Sequence, residues 1–298
     1  MKSLRKFNNN ASFEAYKNDG IEYTVIASAN EKPYILTPPV IYYTTTDGAQ
    51  ISDSDTGLQD YIISHTKEED GDFKIVLKDT ITSIPDNCFN NQSTLKTIQF
   101  KYLNNVTIIG GQFLSYCSSL QSVDLSGLSK VTSIGLGFIY NCSSLQGIDL
   151  SPLSKVTGIG QYFLSGCRLL QSIDLTPLSN VTNIGTYFLY YCTSLQSVDL
   201  SPLSKVTNIP SYFLHYCTSL QNVDLSPLSK VTAIGNQFLA NCTVLKTATM
   251  PNTTGINSIG TYYFNASNQL TTIYCPKGTL TNYKALMPNR ATLMVEMN

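Results

Sequence analysis

The chain has 298 residues, with 19 basic and 20 acidic side chains and a formal net charge of −1. Charged residues make up 13% of the sequence, about half of the ~25% usual in globular proteins. This near-neutral balance argues against a nucleic-acid-binding protein, which needs a basic surface, and an apolar content of 42% argues against a disordered chain. The only histidines are His65 and His215, which argues against most histidine-based catalysis too.

Residues 1–38 form an N-terminal segment to which the sequence assigns no role. The segment starts with basic residues, but Asn8, Asn9 and Asn10 stand where a signal peptide has its apolar stretch. No run in the chain approaches the ~18 apolar residues of a membrane span. We therefore expect neither an export signal in the sequence as given nor a membrane-spanning helix.

The central part of the chain is an internal repeat, which is seen first in its cysteines. Six cysteines follow one another at intervals of 25 residues: Cys117, Cys142, Cys167, Cys192, Cys217 and Cys242. Alignment on this period gives the unit V-T-x-I-G-x-x-F-L-x-x-C-x-S-L-Q-x-V/I-D-L-S-P-L-S-K, with diverged copies starting at Ile81 and Ile256. Such self-similarity is the signature of a stacked repeat fold, and it predicts eight coils over residues 81–279.

Each unit contains the elements of one coil. In L-x-x-V-D-L, alternation along a strand turns Val123 and Leu125 inward. Next come a turn at S-P-L and a short second strand at V-T-x-I. In the segment G-x-x-F-L-x-x-C, Phe163, Leu164 and Cys167 have the spacing of one helix face. The sequence thus predicts an α/β repeat solenoid of the leucine-rich repeat class, whose 25-residue coils have a concave strand, a short second strand and a short convex helix.

The repeat resembles the BspA-like leucine-rich repeats, which occur on the surfaces of gut and oral anaerobic bacteria and in some parasitic protists. Two flanking segments are similar to those of this family, residues 41–48 with 73–77 before the repeats and residues 275–284 after them. The resemblance implies a location at the cell surface and a role in adhesion or host interaction.

Both ends of a solenoid expose strand edges and core side chains, so capping segments are expected there. Residues 39–80 are predicted to form a β-rich N-terminal cap. Residues 280–298 are predicted to form a C-terminal cap with a helix and a strand.

The cysteine column predicts free, buried thiols. Stacked strands place equivalent Cβ atoms about 4.8 Å apart, whereas a disulfide prefers about 3.8 Å. A zinc site needs four converging ligands, and a straight column does not supply them. We therefore expect no metal and no cofactor.

A second column consists of carboxylates at one outward strand position, which we interpret as a candidate partner-binding strip. It comprises Asp124, Asp149, Asp174, Asp199 and Asp224, beside Ser122, Ser172, Ser197 and Asn222. Carboxylates so close to one another repel, which leaves two interpretations open. The aspartates either accept turn hydrogen bonds or are balanced by Lys130, Lys155, Lys205 and Lys230, or else they bind a basic partner or a cation.

A third column contains Tyr162, Tyr187 and Tyr212 on the predicted helical side, and we interpret it as a candidate aromatic patch. Tyrosine is amphipathic and frequent at interfaces. The rings either stack over the convex face or form a contact patch, such as one for self-assembly.

No motif of catalysis is present, so the sequence predicts a protein that is not an enzyme. The main hypothesis is a protein that binds a protein or another macromolecule through the solenoid surface, with no nucleic acid as partner. The alternative is a structural spacer or a phage or particle component anchored by residues 1–38. The sequence predicts no oligomeric state.

Overall fold

The structure is a computed structural model that describes residues 37–297 and the backbone of three strands nearer the N-terminus. These are β1 (Ser12–Asn18), β2 (Ile21–Ala27) and β3 (Tyr34–Ile35), which form an antiparallel sheet in the order β1-β2-β3. Most of the N-terminal segment 1–38 therefore lies outside the described residues.

An antiparallel lead-in precedes the first coil. It consists of β4 (Val40–Thr45), β5 (Ile62–Lys67) and β6 (Phe73–Leu77), with β6 paired to both of the others. Strand β4 also pairs antiparallel with β8 (Leu95–Lys101) of the first coil. The inward residues of the lead-in, among them Ile41, Tyr43 and Phe73, are buried, so the lead-in continues the core of the repeats.

The V-T-x-I motif forms a two-residue strand in every coil. These strands are β7 (Ser83–Ile84), β9 (Ile108–Ile109), β11 (Ser133–Ile134), β12 (Gly158–Ile159), β13 (Asn183–Ile184), β14 (Asn208–Ile209), β16 (Ala233–Ile234) and β18 (Ser258–Ile259). The pairs are parallel and join residues 25 positions apart, as in Ser133 with Gly158. The register places one isoleucine above the next in the core and leaves the polar residues outside.

The L-x-x-V-D-L motif forms strands only towards the two ends of the repeat. Here lie β10 (Ser122–Asp124), β15 (Asn222–Asp224), β17 (Thr247–Thr249) and β19 (Thr272–Cys275), in addition to β8. Residues 147–149, 172–174 and 197–199 of the middle coils have no strand assignment. The prediction of a strand at this position in every coil is therefore wrong for the middle of the repeat.

The predicted convex helix is also wrong, because the G-x-x-F-L-x-x-C segments are turns. At alternate positions their backbone is left-handed, as in Tyr162 (φ 60°), Leu164 (φ 50°) and Gly166 (φ 77°). The N–H groups of successive left-handed residues point to opposite neighbouring coils. Tyr162 and Gly166 donate to the following coil, at 2.9 and 2.7 Å, whereas Leu164 donates to the preceding coil at 3.0 Å. A helix would use these donors within the coil, and the links on this side of the coils would be lost.

A single core runs from the lead-in to the C-terminal residues. Its centre is a stack of phenylalanine rings from Phe113 to Phe213, whose centroids are 5.3 to 5.5 Å apart. All eight cysteines are buried and free, as predicted.

The last coil is followed by α1 (Leu280–Leu286), a 3₁₀ segment at Pro288–Leu293 and β20 (Met294–Glu296). Strand β20 pairs parallel with β19 and closes that side of the coil stack. Within residues 37–297, α1 is the only α-helix, and no helix there has the length and apolar character needed to cross a membrane.

The V-T-x-I ladder is interrupted once, between β13 and β14, which divides it into the sheets β13-β12-β11-β9-β7 and β14-β16-β18. Most junctions carry a hydrogen bond from the glycine N–H after the strand to the isoleucine carbonyl one coil earlier, as from Gly160 to Ile134 (3.0 Å). Pro210 stands at this glycine position and has no N–H to donate. Among the described residues, Thr207 also lacks the usual bond to Thr182.

Candidate partner-binding surfaces

The predicted aspartates cap the turn that follows them. In each case the Oδ1 atom accepts a hydrogen bond of 2.8 or 2.9 Å from the backbone N–H two residues later. The donors are Ser126, Ser151, Thr176, Ser201 and Ser226. In four of the coils this bond closes an Asx turn at the start of a 3₁₀ segment, at Ser126–Leu128, Ser151–Leu153, Thr176–Leu178 and Ser201–Leu203. The turn hydrogen bonds proposed from the sequence are therefore present.

The carboxylates stay at the surface after this bond is made. Asp149, Asp174, Asp199 and Asp224 are exposed, and Asp124 is partly buried. In Asp149 and Asp199 the second oxygen accepts the hydroxyl of the serine two residues on, at 3.0 and 2.9 Å. Hydrogen bonds from Thr176 lower the pKa of Asp174, the one from its side chain more than the one from its N–H. This carboxylate is therefore ionised at neutral pH.

The lysine column does not balance the aspartate column. Within residues 37–297 no ion pair joins Lys130, Lys155, Lys205 or Lys230 to these carboxylates, and the basic partner of Asp124 is Lys101. Lys205 instead donates to Asn180 Oδ1 at 2.9 Å. Partial burial acts to raise the pKa of Asp124, but hydrogen bonds from Lys101 and Ser126 outweigh it and the net shift is downward.

The polar residues two positions earlier are exposed as well and share the surface with the aspartates. We call this surface the Asp strip, and it comprises Ser122, Asp124, Asp149, Ser172, Asp174, Ser197, Asp199, Asn222 and Asp224. Asn222 accepts a bond of 2.7 Å from the Thr247 hydroxyl of the next coil, which fixes its amide oxygen. The strip thus presents hydroxyl, amide and carboxylate groups on short turns that cannot move independently of the coils.

The predicted aromatic residues form a stack. The ring centroids of Tyr162 and Tyr187 are 4.5 Å apart and those of Tyr187 and Tyr212 are 4.4 Å apart, with interplanar angles of 8° and 9°. These tyrosines are half-buried and cover one another's faces. All three have the left-handed backbone of the turns, where other coils place glycine or glutamine, such as Gly137 and Gln237.

The structure extends this stack with Tyr216, which belongs to a second tyrosine column of the repeat, and with Tyr190 and His215, which the sequence interpretation missed. Tyr190 packs against Tyr187 and Tyr212, and His215 packs against Tyr212. Tyr216 lies parallel to His215, with ring centroids 4.7 Å apart. The signal was available, because Tyr140, Tyr190 and His215 occupy one position of the repeat. We call Tyr162, Tyr187, Tyr190, Tyr212, His215 and Tyr216 the aromatic cluster.

His215 is buried at the centre of the aromatic cluster, with 4% exposure. Burial lowers its pKa to about 4, so the ring is neutral at pH 7. Its Nε2 accepts a bond of 2.8 Å from the Asn241 amide, which leaves the proton on Nδ1. A neutral ring of this kind, packed against tyrosines, is a structural group.

The cysteine column links the coils through hydrogen bonds that the sequence did not predict. Each thiol donates to a carbonyl 28 residues earlier, as from Cys142 to Leu114 (3.0 Å) and from Cys217 to Leu189 (3.3 Å). Ser267, which replaces cysteine in the last coil, makes the same bond to Leu239 at 2.9 Å. Burial raises the pKa of Cys192 to about 12, so this thiol stays protonated. Over residues 37–297, no group of acidic, cysteine and histidine side chains could hold a metal ion.

A polar chain in the lead-in joins three groups that resemble a catalytic relay. The Tyr43 hydroxyl is 2.7 Å from His65 Nε2, and His65 Nδ1 is 2.6 Å from Asp53 Oδ1. Tyr43 is 1% exposed and burial raises its pKa to about 12, so the phenol is neither accessible nor easily ionised. The hydroxyl also accepts the Ile51 N–H at 3.0 Å, and the chain serves to fix the lead-in.

Comparison with known proteins identifies the repeat. A family model described as the BspA type leucine rich repeat region, in six copies, matches residues 72–195 and 157–287. No curated protein matches the sequence.

Two solved structures are similar to the chain. A leucine rich cell surface protein from Faecalibacterium prausnitzii A2-165 is 17% identical, with coverage of 95% of this chain and 93% of that chain and a TM-score of 0.28. The pneumococcal vaccine antigen PcpA is 12% identical, with coverage of 98% and 100% and a TM-score of 0.30. At TM-scores this low, neither likeness supports a conclusion about this chain.

Proposed function

Because the chain belongs to the BspA type leucine-rich repeat family, we propose that it is a non-enzymatic protein that binds a macromolecular partner through the Asp strip. Leucine-rich repeat domains mediate protein interactions in general, so a protein is the partner class that we favour. The observation that carries the proposal is the set of exposed carboxylates, each fixed by a turn amide and, from Asp149 to Asp224, without a basic partner among the described residues.

Electrostatics indicate the kind of partner. Like charges in one column repel one another, by roughly 1 kcal/mol for a pair about 4 Å apart in water. A partner with lysine or arginine side chains at the surface relieves this repulsion and gains charge-assisted hydrogen bonds. Since Oδ1 of each aspartate is already held, little side-chain entropy is lost on binding.

We place this interaction at the cell surface or outside the cell, with a role in adhesion to another cell. The family resemblance supports the location. A low content of charge and a surface of hydroxyl and amide groups are compatible with a protein exposed to the medium.

A charge-removal variant tests the proposal. In D149N/D174N/D199N, each asparagine Oδ1 still accepts the turn N–H, so the coils keep their shape while three charges are lost. The matched control E69Q/D70N/D79N removes three charges from exposed residues of the N-terminal lead-in.

Both variants and the unmodified chain are immobilised and used to capture proteins from a host-cell surface extract. We expect the strip variant to lose capture by about tenfold or more, as for the loss of several charge-assisted bonds, and the control to retain it. Equal capture by all three proteins would remove the Asp strip from the binding surface.

A structural spacer or particle component is the second candidate. The observation in its favour is the uninterrupted core from Ile41 to Met294, which makes the described coils one continuous body. Removal of residues 1–38 separates the candidates. An adhesin lacking this segment still captures its partner, whereas a particle component lacking its anchor fails to assemble.

A further inference from the structure

The last coil, which starts at Ile256, has no coil after it, and the C-terminal segment covers only part of its edge. Asn282 Nδ2 donates to Ile256 O at 3.0 Å, and Arg290 Nη2 donates to Phe264 O at 2.8 Å. Between the coil and the 3₁₀ segment remains an open cleft of about 500 Å³. It is lined by Ile259, Tyr262 and Tyr263 of the coil and by Leu286 and Arg290 after it.

The backbone along this cleft has the hydrogen-bonding pattern that each coil offers to the next. One coil earlier, Ile234 O accepts Gly260 N–H at 2.8 Å, and Gln237 N–H donates to Thr261 O at 2.8 Å. The equivalent groups of the last coil are the Ile259 carbonyl and the Tyr262 N–H. Within residues 37–297 neither has a hydrogen-bond partner, so one acceptor and one donor remain in the arrangement by which an inner coil holds the next one.

The floor of the cleft is apolar. Ile259 is half-buried, whereas the isoleucines at the same position of the other coils, such as Ile209 and Ile234, are at most 5% exposed. Tyr263 is likewise half-buried where the preceding coils place a fully buried phenylalanine, such as Phe238. An occupant with an apolar side chain would complete the burial that a further coil provides elsewhere.

Arg290 supplies positive charge at the far end of the same cleft. Its guanidinium group has five N–H donors, and the bond to Phe264 O uses one of them. Among the described residues no carboxylate forms an ion pair with it. A parallel strand seated on β18 would end near Tyr262 and Arg290.

The other end of a second copy is the poorer occupant of this edge. The first coil has Pro85 at the position where later coils have glycine, so it has no N–H to donate to Ile259 O. Head-to-tail extension of the solenoid therefore lacks the bond that most internal junctions have, and a separate peptide segment is the better occupant.

We propose that this cleft binds the C-terminal end of an extended peptide. The peptide pairs parallel with β18, places an apolar side chain on Ile259 and Tyr263, and ends with its carboxylate between the Tyr262 N–H and Arg290. This combines strand addition with carboxylate capture, two recurring modes of peptide recognition. The site involves no residue of the Asp strip and does not depend on the function proposed for it.

The test uses the full chain and a fluorescein-labelled peptide with the sequence of residues 131–136, the segment that fills the equivalent place between internal coils. Binding is measured by fluorescence anisotropy, and amide hydrogen exchange of residues 257–266 is recorded with and without peptide. We expect saturable binding and slower exchange at Tyr262. Amidation of the peptide carboxylate should weaken binding about tenfold, as for the loss of a charged hydrogen-bond partner.

Two variants complete the experiment. R290Q should weaken binding of the free acid about tenfold and leave the amidated peptide unaffected, whereas K277Q, which removes an exposed charge elsewhere in the C-terminal segment, should change neither. The amidated peptide tests the proposal on the unmodified protein, independently of any effect of R290Q on folding. Equal affinity for acid and amide, or unchanged exchange of residues 257–266 at saturating peptide, would overturn the proposal.

Discussion

The junction between β13 and β14 differs from the other junctions of the V-T-x-I ladder, and the difference shows what holds the coils together. At the junction before β12, Thr157 N–H donates to Thr132 O and Gly160 N–H donates to Ile134 O, both at 3.0 Å. At the junction before β14 both bonds are missing, and for the second the reason is that Pro210 has no N–H. The coils on the two sides of Pro210 nevertheless share one core.

At the interrupted junction the contacts on the turn side of the coils remain. Tyr187 stacks on Tyr212 at 4.4 Å, Tyr190 meets His215 edge-on at 5.4 Å, and all four residues flank this junction. The bond from Tyr191 N–H to His215 O, 2.8 Å, also crosses it. A junction can thus lose its strand pairing when the left-handed turns and the aromatic cluster remain.

The largest expected difference between the two kinds of junction comes from adding a Cβ atom. On Gly160 this atom would lie 2.5 Å from backbone atoms of Gly135, so G160A forces the strands apart. We expect a loss of about 3 kcal/mol, the upper part of the range for overpacking. P210A adds no such atom, and its cost should stay below about 1 kcal/mol. Urea denaturation of both variants followed by circular dichroism provides the measurement.

G158A is the control for the change from glycine to alanine itself, because a Cβ atom on Gly158 would meet nothing within 4 Å. It should be close to neutral. If G160A were as mild as G158A, close backbone contact would not be the reason for glycine at this position.

Much of this architecture follows from the sequence, and the failures have a common origin. The cysteine period and the buried apolar columns predict stacked coils, because a fixed period requires each coil to repeat the contacts of the last. The helix prediction failed because the i, i+4 spacing of Phe163 and Cys167 is met equally by alternating left-handed turns. The missed signal was Gly137, Gly166 and Asn141, residue types that tolerate positive φ at the positions where other coils have tyrosine.

The next effect in size is a pH dependence at the interrupted junction. The pKa of His215 in the folded chain is about 4, below the ordinary value of 6.5, because burial disfavours the charged ring. Below about pH 6.5 the unfolded chain therefore binds a proton that the folded chain does not. Stability is lost as the pH falls from 6.5 to about 4, by up to about 3 kcal/mol.

H215Y removes this titrating group, and tyrosine already occupies the same repeat position at Tyr140 and Tyr190. Urea midpoints at pH 7 and pH 4.5 should differ more for the unmodified chain than for the variant. Identical pH profiles would mean that the aromatic cluster accommodates the charged ring.

The Asp strip could be recognised from its spacing, but its chemistry could not be resolved. One Asp per coil predicts a column at the surface. Turn capping and partner binding are both compatible with this sequence pattern. The distinction depends on which atom receives the N–H of Ser151 or Ser201, a matter of side-chain geometry. The absence of lysine partners along most of the strip likewise depends on where the Lys155 and Lys205 side chains lie.

The smallest effect should come from repairing the interrupted junction with P210G. The new N–H can donate to Ile184 O, and pairing of Thr207 with Thr182 can re-form, a gain of about 1 kcal/mol for each bond. Glycine makes the unfolded chain more flexible, which costs up to about 1 kcal/mol. The net gain should therefore be about 1 kcal/mol or less, with the amide at position 210 protected from hydrogen exchange. A rapidly exchanging amide there, together with lower stability, would mean that the aromatic cluster sets the spacing of this junction and that the proline only adapts to it.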